Sequence, residues 1–294
     1  MFLEHHLEDK HTMVTLTVAY QGERGAFSED AARKLLGPDI ETMPCRTFEE
    51  MFDAVSSGAA SAAAAPIENS LAGSVHKNYD LLMEHDLTIT GETNLRIVHH
   101  LIAPPGVGLA SVRRVHSHPV ALAQCERFLR ANPQIEVVPA YDTAGSVKMV
   151  IANNTGEDAA IAGATAAAVY GAEIIAESVE DNAKNFTRFL LLARPDRAEA
   201  IKTTSNTDQR KTSIVFRVAN KPGGLFRSIA AFALRDIDLT KLESRPIEGR
   251  PWEYSFYLDL AGDQHDPPVA RALANLSELA ESVRVLGSYW RSEE

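Results

Sequence analysis

Ala62-Ala63-Ala64-Ala65-Pro66-Ile67-Glu68-Asn69-Ser70 is a run of small and apolar residues that ends on a carboxylate, an amide and a hydroxyl. Its length suits a buried strand, and its polar end marks the handover to the next element. The pattern repeats on either side. An apolar run at 16–20 leads to Gly25-Ala26-Phe27-Ser28 and a helix. Another at 112–116 leads to Ser117-His118-Pro119 and a helix through Leu129, with Pro119 suited to a first helical turn. Residues 136–141 precede Asp142-Thr143 and a helix through Ala152, and 159–162 precede an alanine-rich helix at 165–170. A strand at 187–193 closes the unit. Short strands alternating with amphipathic helices are the signature of an α/β fold.

In open α/β sheets, ligands sit beyond the carboxyl ends of strands, where helix N-termini offer free backbone N–H groups to anions. The polar residues of this chain gather at those handovers, which suits a small polyanionic acid. Any one of them would serve equally as an ordinary helix N-cap. It is their number that points to a ligand.

Hydrophobic residues make up 45% of the 294, enough to bury more than one core. The formal net charge of -11 disfavours a nucleic-acid partner, which needs clustered Lys and Arg against phosphates. There is no apolar run of the length, about 18 residues, that a membrane span needs. Met1 to Lys10 carries His and acidic residues where a signal peptide needs a basic stretch and an apolar run, so a cytoplasmic location is expected. Cys45 and Cys125 form no CxxC motif and read as reduced structural thiols. His5-His6, His99-His100 and His116-x-His118 show no metal-ligand spacing with Cys or Glu, so no metal site is expected.

Residues 1–13 read as a flexible polar extension, and 14–194 as the α/β unit. Residues 195–211 turn polar and read as a linker. From 212 to 294 comes a compact series: strand 213–219, helix 224–235, strands 239–247 and 253–260, helix 269–280 and strand 283–289. That order, βαββαβ, is ferredoxin-like.

Several ordered segments carry a specific resemblance. They are Tyr20-Gln21-Gly22 with Gly25-Ala26-Phe27-Ser28, the 65–75 stretch through Glu68-Asn69-Ser70, Ser117-His118-Pro119 with Gln124-Cys125, Asp142-Thr143-Ala144, and Asn185-Phe186-Thr187-Arg188-Phe189. Together they resemble the prephenate dehydratase family, and residues 212–294 resemble an ACT domain. The resemblance implies a two-lobed, periplasmic-binding-protein-like catalytic domain followed by a ferredoxin-like ACT domain. Val120 stands where many members have Gln, and Gly224 where Ala is usual. No chorismate mutase domain is expected ahead of the catalytic region.

The implied reaction converts prephenate to phenylpyruvate, with loss of the ring carboxylate as carbon dioxide and the ring hydroxyl as water, and it needs no cofactor. By resemblance, Thr187 assists departure of the hydroxyl, and Arg188 and Phe189 fix its strand end. Glu68 is the alternative proton donor. Asn69, Ser70, Ser117, Gln124 and Thr143 are the candidate contacts to substrate oxygens, while His118 reads as a helix cap. The ACT resemblance implies L-phenylalanine as effector. It would bind where Asn220, Gly223, Gly224 and Leu225 of one domain meet Glu243, Ser244, Arg245 and Pro246 of another, in a homodimer or homotetramer. Two other readings stand beside this one: arogenate dehydratase, and a non-catalytic amino-acid sensor.

Overall fold

The computed structural model describes residues 16–201, 203 and 208–292. The expected extension at 1–13 lies outside them, as do residues 202 and 204–207 of the expected linker.

The first lobe is a mixed sheet. β1 (Thr17–Gln21), β2 (Glu41–Cys45) and β3 (Ala62–Asn69) are parallel and are connected through α1 (Phe27–Leu36) and α2 (Phe48–Ser56). The alanine run forms β3 because both faces of the strand are covered. Ala63, Ala65 and Ile67 enter one core and Ala62 and Ala64 the other, so the strand has no polar face until its end. The short β4 (Gly73–Ser74) turns back on β3, and α3 (His76–Glu84) leads to β5 (Thr88–Arg96).

The chain then crosses to a second lobe made of β6 (His100–Ala103), β7 (Arg114–Ser117), β8 (Glu136–Pro139), β9 (Asp158–Ala162) and β10 (Glu173–Ala176). Helices α4 (Pro119–Ala123), α5 (Glu126–Ala131), α6 (Thr143–Asn153) and α7 (Ala164–Tyr170) are set among them. The sheet order is β10-β6-β9-β7-β8. The chain crosses back to lay β11 (Phe186–Ala193) between β3 and β5, completing the order β2-β1-β3-β11-β5 in the first lobe. The two crossing segments bond to each other: Ile97 N–H donates to the Asn185 carbonyl and Val179 N–H to the His99 carbonyl, each at 2.8 Å.

The third unit is β12 (Arg210–Arg217), α8 (Gly224–Ala233), β13 (Leu239–Ile247), β14 (Arg250–Ala261), α9 (Pro267–Leu279) and β15 (Ser282–Trp290), an antiparallel sheet ordered β13-β14-β12-β15. The expected βαββαβ order is present. β12 begins inside the expected linker because Arg210 and Lys211 pair with Trp290 and Tyr289 of β15.

The helices cover one face of this sheet, over Ile214, Phe216, Leu258 and Leu260. The other face is covered by the first lobe of the same chain. Val215, Tyr257, Leu286 and Tyr289 join the core that holds Leu81, Leu82, Leu87 and Ile89. Gly287 sits so close to β5 that an added Cβ would stand 2.1 Å from the Ile89 carbonyl oxygen. Val215 of β12, Tyr257 of β14 and Leu286 and Tyr289 of β15, together with the buried polar Lys211, Ser213 and Asp259, close that face within the chain.

The expected helix from Pro119 through Leu129 is broken into α4 and α5. At the break the Gln124 carbonyl accepts from Asp181 N–H at 2.7 Å, and the Asp181 carboxylate accepts from Arg127 N–H at 3.0 Å. The break presents the Gln124 side chain to the space between the lobes.

Candidate active site

A cleft of about 560 Å³ separates the lobes. On its first-lobe wall lie Gln21, Phe27, Asn69, Ser74, Thr187 and Phe189; opposite stand His118, Gln124, Tyr141, Asp142 and Thr143. Asn69 and Thr187 are directly paired across the β3–β11 ladder and therefore share a face. Asn69 Nδ2 donates to Thr187 Oγ1 at 2.9 Å and to Asn185 Oδ1 at 2.8 Å, while Asn69 Oδ1 accepts from the N–H groups of Leu71 and Ala72. Gln124 reaches over from the second lobe. Its Nε2 donates to Asn69 Oδ1 at 3.3 Å, and its Oε1 accepts from Asn185 Nδ2 and His99 Nε2.

The Thr187 hydroxyl adds a donor of its own to this network. Thr187 Oγ1 accepts from Asn69, and among the described residues its own hydroxyl donates to none, so that proton is directed by whatever occupies the cleft. His99 ends the chain of amides. It is 2% exposed; burial pushes its imidazole pKa down, and Nδ1 has no partner among the described residues. A neutral ring that donates through Nε2 fits both facts.

The second wall is built from helix starts. Asp142 caps α6, accepting from Gly145 N–H at 2.8 Å and from Glu23 N–H of the first lobe at 3.1 Å. Thr143 is the first residue of that helix. His118 caps α4 through Nδ1, ahead of Pro119, as the sequence implied. Beside the Thr47 cap of α2, Arg46 is the one Arg or Lys among the described lining residues. Neither Arg46 nor His99 was picked out as a site residue from sequence. Arg46 lies in a loop without periodicity, and His99 in the crossing between lobes, so only the assembled fold brings them to the cleft.

Residues 18–197 match the family model for prephenate dehydratase and residues 212–278 that for the ACT domain. The chain belongs to the prephenate dehydratase family. Among its relatives is arogenate dehydratase/prephenate dehydratase 2, chloroplastic, of Arabidopsis thaliana, 46% identical over 282 residues that cover 92% of this chain and 72% of that protein. A solved prephenate dehydratase from Arthrobacter aurescens, described as a complex with L-Phe, is 33% identical with a TM-score of 0.84, covering 94% of this chain and 90% of that one. A structure described as GqqA, a novel type of quorum quenching acylase, is 38% identical with a TM-score of 0.82, covering 93% and 97%. The protein is an enzyme of the prephenate/arogenate dehydratase type with a C-terminal ACT domain.

Within this dehydratase, Asn69, Gln124, Thr143, Thr187 and Phe189 meet at the cleft. Four other expected site residues do not. Glu68 and Arg188 are paired with each other across the ladder and point to its opposite face, since successive residues of a strand alternate sides. Glu68 there meets Lys241 of β13 at 2.9 Å. Arg188 is enclosed by Glu92 at 2.6 Å, Asp259 at 2.5 Å and the Tyr289 hydroxyl at 3.0 Å. Ser70 ties its turn to β11, donating to the Lys184 carbonyl and accepting from Phe186 N–H. It lines, with Glu68 and Arg188, a separate hollow. Ser117 is fully buried and donates to the Ile161 carbonyl at 2.6 Å.

The ACT residues divide in the same way. Asn220, Gly223, Gly224 and Leu225 line a hollow of about 340 Å³ with Trp252, Tyr254 and Phe256. Gly223 has φ +77°, a conformation suited to glycine, and Gly224 begins α8. Glu243 and Arg245 instead face the catalytic lobe of their own chain. Glu243 accepts from the Ser74 hydroxyl, and Arg245 forms a two-point bridge to Asp80 at 3.0 and 2.7 Å. Ser244 and Pro246, on the alternate positions of β13, are exposed.

Proposed function

We propose that this enzyme converts prephenate to phenylpyruvate, with Thr187 donating a hydrogen bond to the departing ring hydroxyl. The observation that carries the reading is the Thr187 hydroxyl, which lines the cleft, accepts from the Asn69 amide and donates to none of the described residues. In the reaction the ring carboxylate leaves as carbon dioxide, and its bonding electrons enter the ring as the C–O bond breaks. Threonine is too weak an acid to end as an alkoxide, so its hydrogen bond stabilises the leaving oxygen and a proton from solvent completes the water. Arg46 and the N–H groups at the start of α2 suit a substrate carboxylate. Steady-state turnover of prephenate, with phenylpyruvate detected directly, tests the reading.

Arogenate is the second reading, favoured by the Arabidopsis relative whose name carries both activities. It has an amino group in place of the side-chain keto oxygen. Comparing kcat/KM on the two acids decides between them: a preference for arogenate of about a hundredfold or more reverses the order.

The proposal extends to regulation. L-Phenylalanine, the molecule bound in the Arthrobacter complex, suits the hollow beside Gly223 and Gly224, where backbone N–H groups approach its carboxylate and Leu225 its ring. In a homodimer or homotetramer, Ser244 and Pro246 of another copy's β13 would close that hollow. Calorimetry and sedimentation with L-phenylalanine test both statements, and fractionation tests the expected cytoplasmic location.

A further inference from the structure

Two cross-strand pairs of charged residues face each other between the catalytic and ACT sheets. On the catalytic side Arg188 of β11 is paired with Glu68 of β3; on the ACT side Asp259 of β14 is paired with Lys241 of β13. The signs are complementary at both contacts, Arg188 with Asp259 at 2.5 Å and Glu68 with Lys241 at 2.9 Å. Each catalytic-side member is the chain neighbour of a cleft residue: Arg188 follows Thr187, and Glu68 precedes Asn69. Backing residues fix the ACT side. Ser213 donates to Asp259, and Lys241 also donates to the Ser74 hydroxyl, whose side chain lines the cleft.

We propose that Asp259 and Lys241 are positioning residues for the dehydration. From the ACT sheet of the same chain they hold Arg188 and Glu68, and through those the Thr187–Asn69 pair that faces the substrate. Two features give the hold its leverage. β3 carries a register shift beside this point, with Arg188 opposite Glu68 but Phe189 opposite Pro66, so the ladder alone does not fix the strand ends. Arg188 is also enclosed on every side that carries a polar group, so its backbone follows its guanidinium. The inference rests on the reading of Thr187 as the hydrogen-bond donor to the leaving group.

The test is steady-state kinetics of the full chain, on whichever of prephenate and arogenate it turns over, for Lys241→Met and Asp259→Asn, each alone and with Thr187→Ala. Each single change is expected to lower kcat about tenfold with KM held within about twofold, and most of that loss should vanish once Thr187 is alanine, because no donor remains to be misplaced. A folded Lys241→Met enzyme with unchanged kcat, a loss carried by KM, or a loss that simply multiplies with that of Thr187→Ala overturns the proposal. Asp259 is buried, so its variant is the one at risk of unfolding; Lys241→Met then decides alone. Near-normal kcat for Thr187→Ala overturns the donor assignment itself, and that failure is separate from an unaffected Lys241→Met.

Discussion

Glu68 lies directly across the β3–β11 ladder from Arg188, and both side chains turn away from the cleft toward the ACT sheet. A carboxyl in that position does not reach a hydroxyl leaving from a substrate beside Thr187. Glu68→Gln keeps the side chain's shape and its contact with Lys241. The expected result is a kcat loss of no more than about fivefold, with the basic limb of the pH profile retained, whereas removal of a general acid costs on the order of a hundredfold or more. Loss of that limb would return Glu68 to the mechanism.

Thr187 carries the opposite expectation. Thr187→Ala removes the free hydroxyl while leaving β11 paired on both sides, and kcat should fall by about two orders of magnitude in a folded protein. Thr187→Ser keeps the hydroxyl and loses only the methyl that stiffens its rotamer. It should retain activity within about tenfold. Equal loss in the two variants would show that the hydroxyl is not the operative group.

Why sequence reading assigned Glu68, Asn69, Thr187 and Arg188 to one site, although they face two ways, follows from the strands themselves. The alanine run of β3 and the βαββαβ series are legible because local periodicity sets them. Alternation also says that Glu68 and Asn69 face opposite ways. It does not say which way holds the substrate, because both faces at this strand end are polar: one meets the cleft, the other charges brought from the ACT sheet. β5 shows the same limit more strongly. Thr88–Arg96 has no clean hydrophobic pattern, and Glu92 is 7% exposed only because Arg188, Lys211 and Ser292 N–H bind it. Those partners lie from 96 to 200 residues away in sequence. His99 and the break in the helix at Gln124 likewise depend on the return crossing, where Glu180 and Asp181 bind them.

The seam between the sheets has a backbone requirement at Gly287. A Cβ there would overlap the Ile89 carbonyl oxygen, and neither partner is a flexible side-chain end. Gly287→Ala must push β15 away from β5. It should destabilise the protein by about 1–3 kcal/mol, read as a lower midpoint in urea unfolding. An unchanged midpoint would mean that the two strands have room to separate freely.

His99 supplies a pH dependence whose sign can be worked out. Burial lowers its folded-state pKa below the unfolded value of about 6.5, against smaller opposing effects from the Gln124 hydrogen bond and Glu180. Below about pH 6.5 the unfolded chain takes up a proton that the folded ring refuses, so unfolding binds protons and stability falls as the solution is acidified. The loss begins near the unfolded pKa and levels off below the folded one. Protonation would also place an N–H on Nδ1, which has no partner among the described residues. His118 is shifted the same way, so the comparison must be by difference. His99→Gln can retain an amide donor toward Gln124 while removing the titration. Denaturant midpoints from pH 5 to 8 should therefore fall less steeply on the acid side in His99→Gln than in the wild type, by up to about 1.4 kcal/mol per pH unit for one proton. Parallel curves for the two proteins would mean that His99 titrates in the folded state as it does in the unfolded chain.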